Sequence, residues 1–145
     1  MKSMRRCFSM FVAMMLVAVL LVDTSAGAAS RKAVSFKSIQ KQGKIYDFWD
    51  VKSVKISGTK IVISGEMVDE YEQAYSGKKF TFTLPKKVKT YEVEDKWYYI
   101  GKKSTSGIKK TCNASIKCKK ENGYHFPGVY LIVKNKKVVG VATSA

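Results

Sequence analysis

Proline and histidine are scarce in this 145-residue chain, with 2 and 1 copies, and its 10 glycines follow no period. Two prolines exclude a proline-rich linker, and aperiodic glycine excludes collagen. One histidine cannot build a His-rich zinc site. The chain has no glycine-rich phosphate loop, no D-x-D-x-D-G calcium register and no G-x-S-x-G nucleophile elbow. Catalytic residues, metal ligands and cofactors are therefore all expected to be absent. Acidic residues are also few: 11 Asp plus Glu face 27 Lys plus Arg, a net charge of +16. The 46% of hydrophobic residues excludes a wholly disordered chain, and the length suits a single domain.

The N-terminus reads as a secretory signal peptide. Lys2, Arg5 and Arg6 precede an apolar run from Phe8 to Val22, broken only by Ser9. Asp23 ends the run, and Ala26-Gly27-Ala28 offers an A-x-A site that makes Ala29 the first mature residue. The alternative is an uncleaved anchor, but a spanning helix wants about 20 apolar residues. Cys7 lies before the run, where lipidation is not expected. The expected organisation is a signal peptide at 1–28, a loosely ordered arm at 29–44 and one domain at 45–145. The product is expected to be secreted or held on the exterior of the cell envelope.

Cys112 and Cys118 would be the two cysteines left after cleavage. An even pair in an exported protein most simply means a disulfide. Bridged Cα atoms lie within about 7 Å, so the chain is expected to reverse around Asn113-Ala114-Ser115. The same three residues form a glycosylation sequon.

From residue 45 onward period two dominates. Lys79 to Leu84 alternates with Phe80, Phe82 and Leu84 on one face. Ile61-Val62-Ile63 follows a Ser57-Gly58 turn, Tyr91 and Val93 alternate with Glu92 and Glu94, and Trp97 to Ile100 resumes after Asp95-Lys96. A slip of phase between Val51 and Val54 predicts a bulge. Asn122-Gly123 predicts a type I′ hairpin, and Val129–Val133 with Val138–Ala142 a second one around Asn135-Lys136. Helical signal is confined to a turn or two at Phe36–Gln42 and Asp69–Tyr75, and residues 101–110 read as a loop. The expected fold is all-β and mostly antiparallel, a small barrel or two-sheet sandwich of six or seven strands. A long bulged strand, a glycine turn, a second strand and a loop into a third, over residues 45–84, resemble the start of OB-like barrels.

Charge is uneven. Residues 29–145 carry 24 cations and 10 anions, or +14; residues 61–100 are at −1 and residues 101–145 at +9. A net charge of about 2–8 suffices for solubility, so the excess points to an anionic partner. Of the 24 cations only Arg31 is arginine. Lysine is a hydrated point charge without the planar fork that reads base edges, so base-specific nucleic-acid recognition is not expected. The expected partner is an anionic polymer or surface: a wall polymer, phospholipid, sulfated glycan or nucleic acid. The contact residues expected are Lys102, Lys103, Lys109, Lys110, Lys119 and Lys120, with Tyr98 or Tyr124 as a stacking platform.

Two other readings start from different residues. Glu66, Asp69, Glu70 and Glu72 form an acidic cluster that, with His125, could serve a small secreted hydrolase. Asp47 and Asp50 flank Trp49, but on a regular strand residues three apart face opposite sides, so they converge only across a bulge. A protein–protein module with an acidic partner is the third reading.

Overall fold

The computed structural model describes residues 31–71, 73–75 and 79–145. The expected leader, its expected cleavage site and Cys7 lie outside them, as does Glu72. The fold below is that of the compact unit Ala33–Ala145, with Lys32 at its edge.

The elements run β1 (Lys32–Val34), α1 (Phe36–Gln42), β2 (Lys44–Ser57), β3 (Lys60–Asp69), β4 (Ala74–Tyr75), β5 (Lys79–Thr83), β6 (Lys87–Val93), β7 (Trp97–Ser104), α2 (Thr105–Asn122), β8 (Gly128–Lys134) and β9 (Lys137–Ser144). The protein is thus mostly β, with nine strands rather than six or seven. The sheet order is β1-β7-β6-β9-β5-β3-β2-β8, and β9 also pairs with β8. The path from β2 through β3, β5, β9 and β8 therefore returns to β2. The sheet is mixed: β9 runs parallel to β5 and β6 and antiparallel to β8.

Alternation fills the two faces. Val129, Leu131 and Val133 of β8 join Val51, Ile61, Ile63 and Met67 in the core of the ring. Tyr130 and Ile132, the intervening residues, pack outward with Ile39, Ile45, Tyr91 and Ala142. Ile39 belongs to α1 and is wholly buried. Part of the expected loose arm, residues 32–42, thus forms β1 and a helix held by Ile39, by Phe36 against Trp97 and by Gln42 accepting from the Tyr91 hydroxyl. The helical turn at Phe36–Gln42 is present, whereas Asp69 ends β3, Glu70 and Tyr71 form a turn, and Ala74–Tyr75 are β4.

Residues 105–122, expected as the end of a loop and a disulfide-pinned reversal, form the one long helix among the described residues. Ser104 caps its start, accepting from Gly107 N–H at 3.4 Å. Ile108, Cys112 and Ser115 are its buried residues, with Ile108 and Cys112 in the ring core. Asn122-Gly123 is not a hairpin. Gly123 sits at φ 87° and returns its N–H to the Lys119 carbonyl at 2.9 Å. Both structures need positive φ after a polar residue, and the preceding helix decides between them. At Asn135-Lys136 the hairpin does form, with φ of 51° and 61°.

The helix also overturns the disulfide. Residues six apart on a helix lie about 9 Å apart along its axis, too far to bridge. Both cysteines are free, Cys112 buried and Cys118 partly exposed. Burial pushes the Cys112 thiol up to about 12. Alkylation of the folded protein, mapped by mass spectrometry, should label Cys118 and spare Cys112 until denaturant is added. A reductant should leave the melting temperature unchanged.

Candidate functional site

The expected lysines are not brought together. Lys102 and Lys103 point to opposite faces of β7, as strand neighbours must. Lys103 tucks beneath α2 and donates to Thr111 Oγ1 at 3.1 Å. Lys109 and Lys110 border a shallow groove at the start of α2. Lys119 closes the helix end by donating to the Gly123 carbonyl at 3.1 Å, and Lys120 lines a small cleft with Asp50 and Lys52. Tyr98 donates to Asp95 at 3.2 Å in the β6–β7 turn, apart from Tyr124, which lines a different cleft.

Lys102 finds other company. Together with Lys87, Lys89 and Lys137 it lines a cleft of about 520 Å³ without a single acidic residue. All four side chains are exposed, and none forms an ion pair with a described residue. Lys89 and Lys102 stand directly opposite on paired strands, where like charges are destabilising. Lys137 arrives from the β8–β9 hairpin, which also brings Lys134 and Lys136. Sequence reasoning missed Lys87 and Lys89 because their stretch has no net positive charge. Its acids lie elsewhere, so the usable signal was the local Lys86-Lys87-Val88-Lys89 pattern after Pro85.

A second cleft, of about 360 Å³, opens at the other end of β9. The bulge predicted near Val51 is there as two register shifts, between Phe48 and Asp50 and between Val51 and Ser53. Trp49 is the unpaired residue of the first and is 58% exposed. Asp47 pairs across with Tyr130, and Tyr124 and Lys119 complete the rim. Gly128 keeps the floor open: a Cβ there would come within 2.5 Å of Ser144 Oγ. Burial alone pushes the Asp47 carboxyl up to about 6, whereas Lys52, at 3.1 Å, holds Asp50 below the usual carboxylate range. The two acids open into different clefts, so they do not form a hydrolytic pair.

His125 is spent on structure. Its Nε2 accepts from Val51 N–H at 3.1 Å, and its Nδ1 lies 3.1 Å from the Ser115 carbonyl and from Ser115 Oγ. A carbonyl can only accept and an amide N–H can only donate, so the ring is neutral with its proton on Nδ1. Burial, the first cause, pushes its pKa down, and Lys119 and Lys52 add to this against Ser115 and Asp50. The histidine thereby satisfies an amide inside the double bulge and ties it to α2. Asp69 of the acidic cluster is likewise held in the structure. Burial pushes Asp69 up, but the amides of Gln73 and Tyr71 outweigh it and leave the carboxyl ionised more readily than usual. Tyr75 and Lys44 complete its partners. Among the described residues no group of three metal-ligating side chains occurs, and no helix is long and apolar enough to cross a membrane.

Asp47 gives a measurable consequence. Its raised pKa means that the folded state binds more protons than the unfolded chain between about pH 4 and 6, so stability falls as pH rises through that window. Asp47→Asn should therefore stabilise the protein by about 1–2 kcal/mol at pH 8. The gain should vanish near pH 4, as read by thermal melts at both values.

Comparison with known proteins adds nothing to this geometry: no protein-family model, curated protein or solved structure matches the chain.

Proposed function

We propose that this chain is an exported, non-enzymatic binding module for an anionic polymer or surface, engaged by the cleft of Lys87, Lys89, Lys102 and Lys137. The observation that carries this reading is that cleft: four exposed ammonium groups face one space with no carboxylate among them. Such an arrangement costs stability in the free protein and is relieved when an anion enters. Lysine in place of arginine suits a repeating charge more than one shaped group.

The ring of strands fits an OB-like barrel in this proposal. Numbered along the chain, its members β2, β3, β5, β8 and β9 stand in the order 4-1-2-3, a Greek key, with the fifth closing between the third and fourth. The β8–β9 hairpin beside the lysines is then the loop between strands four and five, one of two loops through which such barrels take oligonucleotides and oligosaccharides.

Titration with inorganic polyphosphate and with heparin tests the function. Four contacts predict a slope of log K against log salt of about −3 to −4. Lys102→Glu with Lys137→Glu should abolish binding, while Lys109→Glu with Lys110→Glu should weaken it only modestly. Equal losses from the two pairs, or no salt-sensitive binding at all, would sink the proposal.

A further inference from the structure

The cleft around Trp49 lies at the far end of β9 from the lysines, about 24 Å of strand away. Its make-up is different. Its lining includes the rings of Trp49, Tyr124 and Tyr130 with Phe48 and His125 behind them, one carboxyl, Asp47, one ammonium, Lys119, and the Ser144 hydroxyl. We propose that it is a second binding site, for one or two rings of an uncharged carbohydrate, with the Trp49 indole as the stacking platform and Asp47 accepting the sugar hydroxyls.

Four observations converge on this. An indole 58% exposed beside a tyrosine 40% exposed is an apolar surface with nothing described upon it. Trp49 is the unpaired residue of a bulge, next to the inward-facing Phe48, and bulges are over-represented beside sites. The face of a pyranose presents C–H groups, which suit the negative face of an aromatic ring. The volume of 360 Å³ stands at the lower end of small-molecule sites, about 300–1,000 Å³.

Charge selects the ligand class. One acid and one base leave the cleft balanced. An anionic ligand meets Asp47, and a cationic one meets Lys119 within a strongly basic chain. A neutral polyol meets neither objection. Asp47 is desolvated without a cation to pair it, and burial alone sets its shift. Such a carboxyl gains from donors that carry no charge, and adjacent hydroxyls supply them in pairs.

The test uses the intact protein carrying Trp97→Phe, so that Trp49 is the reporter. Cellotetraose, chitotetraose, maltotetraose and mannotetraose are titrated at low and high salt. At least one should shift the Trp49 emission to the blue, with an affinity that salt leaves almost unchanged. Trp49→Ala and Asp47→Asn, read by calorimetry in the otherwise native chain, should each weaken that binding by about tenfold or more. Lys102→Glu with Lys137→Glu should leave it intact, which separates this site from the polyanion cleft. If none of the four sugars binds, the proposal is overturned. It is equally overturned if binding survives Trp49→Ala or disappears at high salt. Both Trp49 and Asp47 variants should keep the native melting profile or improve on it, so a loss of binding cannot be ascribed to unfolding.

Discussion

Gly65→Ala should lower the stability of the protein by about 3–5 kcal/mol and its melting temperature by on the order of 10–20 °C. Gly65 pairs with Val51 in the double bulge of β2. Its φ of 121° lies where side chains are rarely tolerated, and a Cβ would stand 2.4 Å from the Asp50 carbonyl oxygen and 2.7 Å from the Lys52 nitrogen. Those neighbours are backbone, so no rotamer change relieves the clash. Either β3 moves away from the bulge or the bulge itself is lost. Gly123→Ala is the control. Its φ is also positive, at 87°, yet nothing lies within 4 Å of the added carbon, so only the conformational cost of about 1–2 kcal/mol remains. Comparable losses for the two variants would mean that the close approach at Gly65 is not tight.

Ile108→Ala is the second large effect, about 3–4 kcal/mol in chemical denaturation. Ile108 is fully buried, on the first turns of α2, and packs into the ring core beside Cys112. Truncation leaves a cavity between helix and strands, and the ring, fixed by its hydrogen-bonded closure, has limited freedom to collapse into it. Ile108→Val should cost only about 1 kcal/mol. Lys109→Ala, one residue along and exposed, should stay within about 0.5 kcal/mol. A small loss from Ile108→Ala would show that α2 is an attachment to the domain rather than part of its core.

The longer strands were legible because each carries its own signal, whereas β1 and β4, three and two residues long, carry none. Ile61 to Ile63 and Phe80 to Leu84 alternate cleanly, and Asn135-Lys136 separates two apolar runs at hairpin spacing. The helix was not, and for a physical reason. Its apolar stripe is only Ile108, Cys112 and Ile116, and Gly107, Thr111 and Asn113 are weak helix formers. Such a helix is stabilised mainly by the core it covers, and that core is built from residues far away in sequence. Once α2 was hidden, the cysteine pair and Asn122-Gly123 both acquired local explanations that the helix removes.

The sites divide in the same way. Lys102 and Tyr124 were visible as residue types, but their neighbours were not. Lys87 and Lys89 reach Lys102 through antiparallel pairing, and Lys137 joins through a parallel strand whose register no local pattern encodes. Trp49 read as a residue between two acids, and the bulge between Phe48 and Asp50 leaves it without a cross-strand partner on β3.

The position of β9 has a consequence for how the chain acquires its structure. It is the strand on which β5, β6 and β8 all converge, and Lys89 of β6 waits for Gly140, fifty-one residues downstream. A chain delivered from its N-terminus cannot close the ring until β9 has followed, so β5 and β6 spend that interval with open edges. Pairings so distant in sequence make folding slow. Under the export proposed above, such a delay is an advantage: the order of the strands keeps the chain threadable while β9 is still to come.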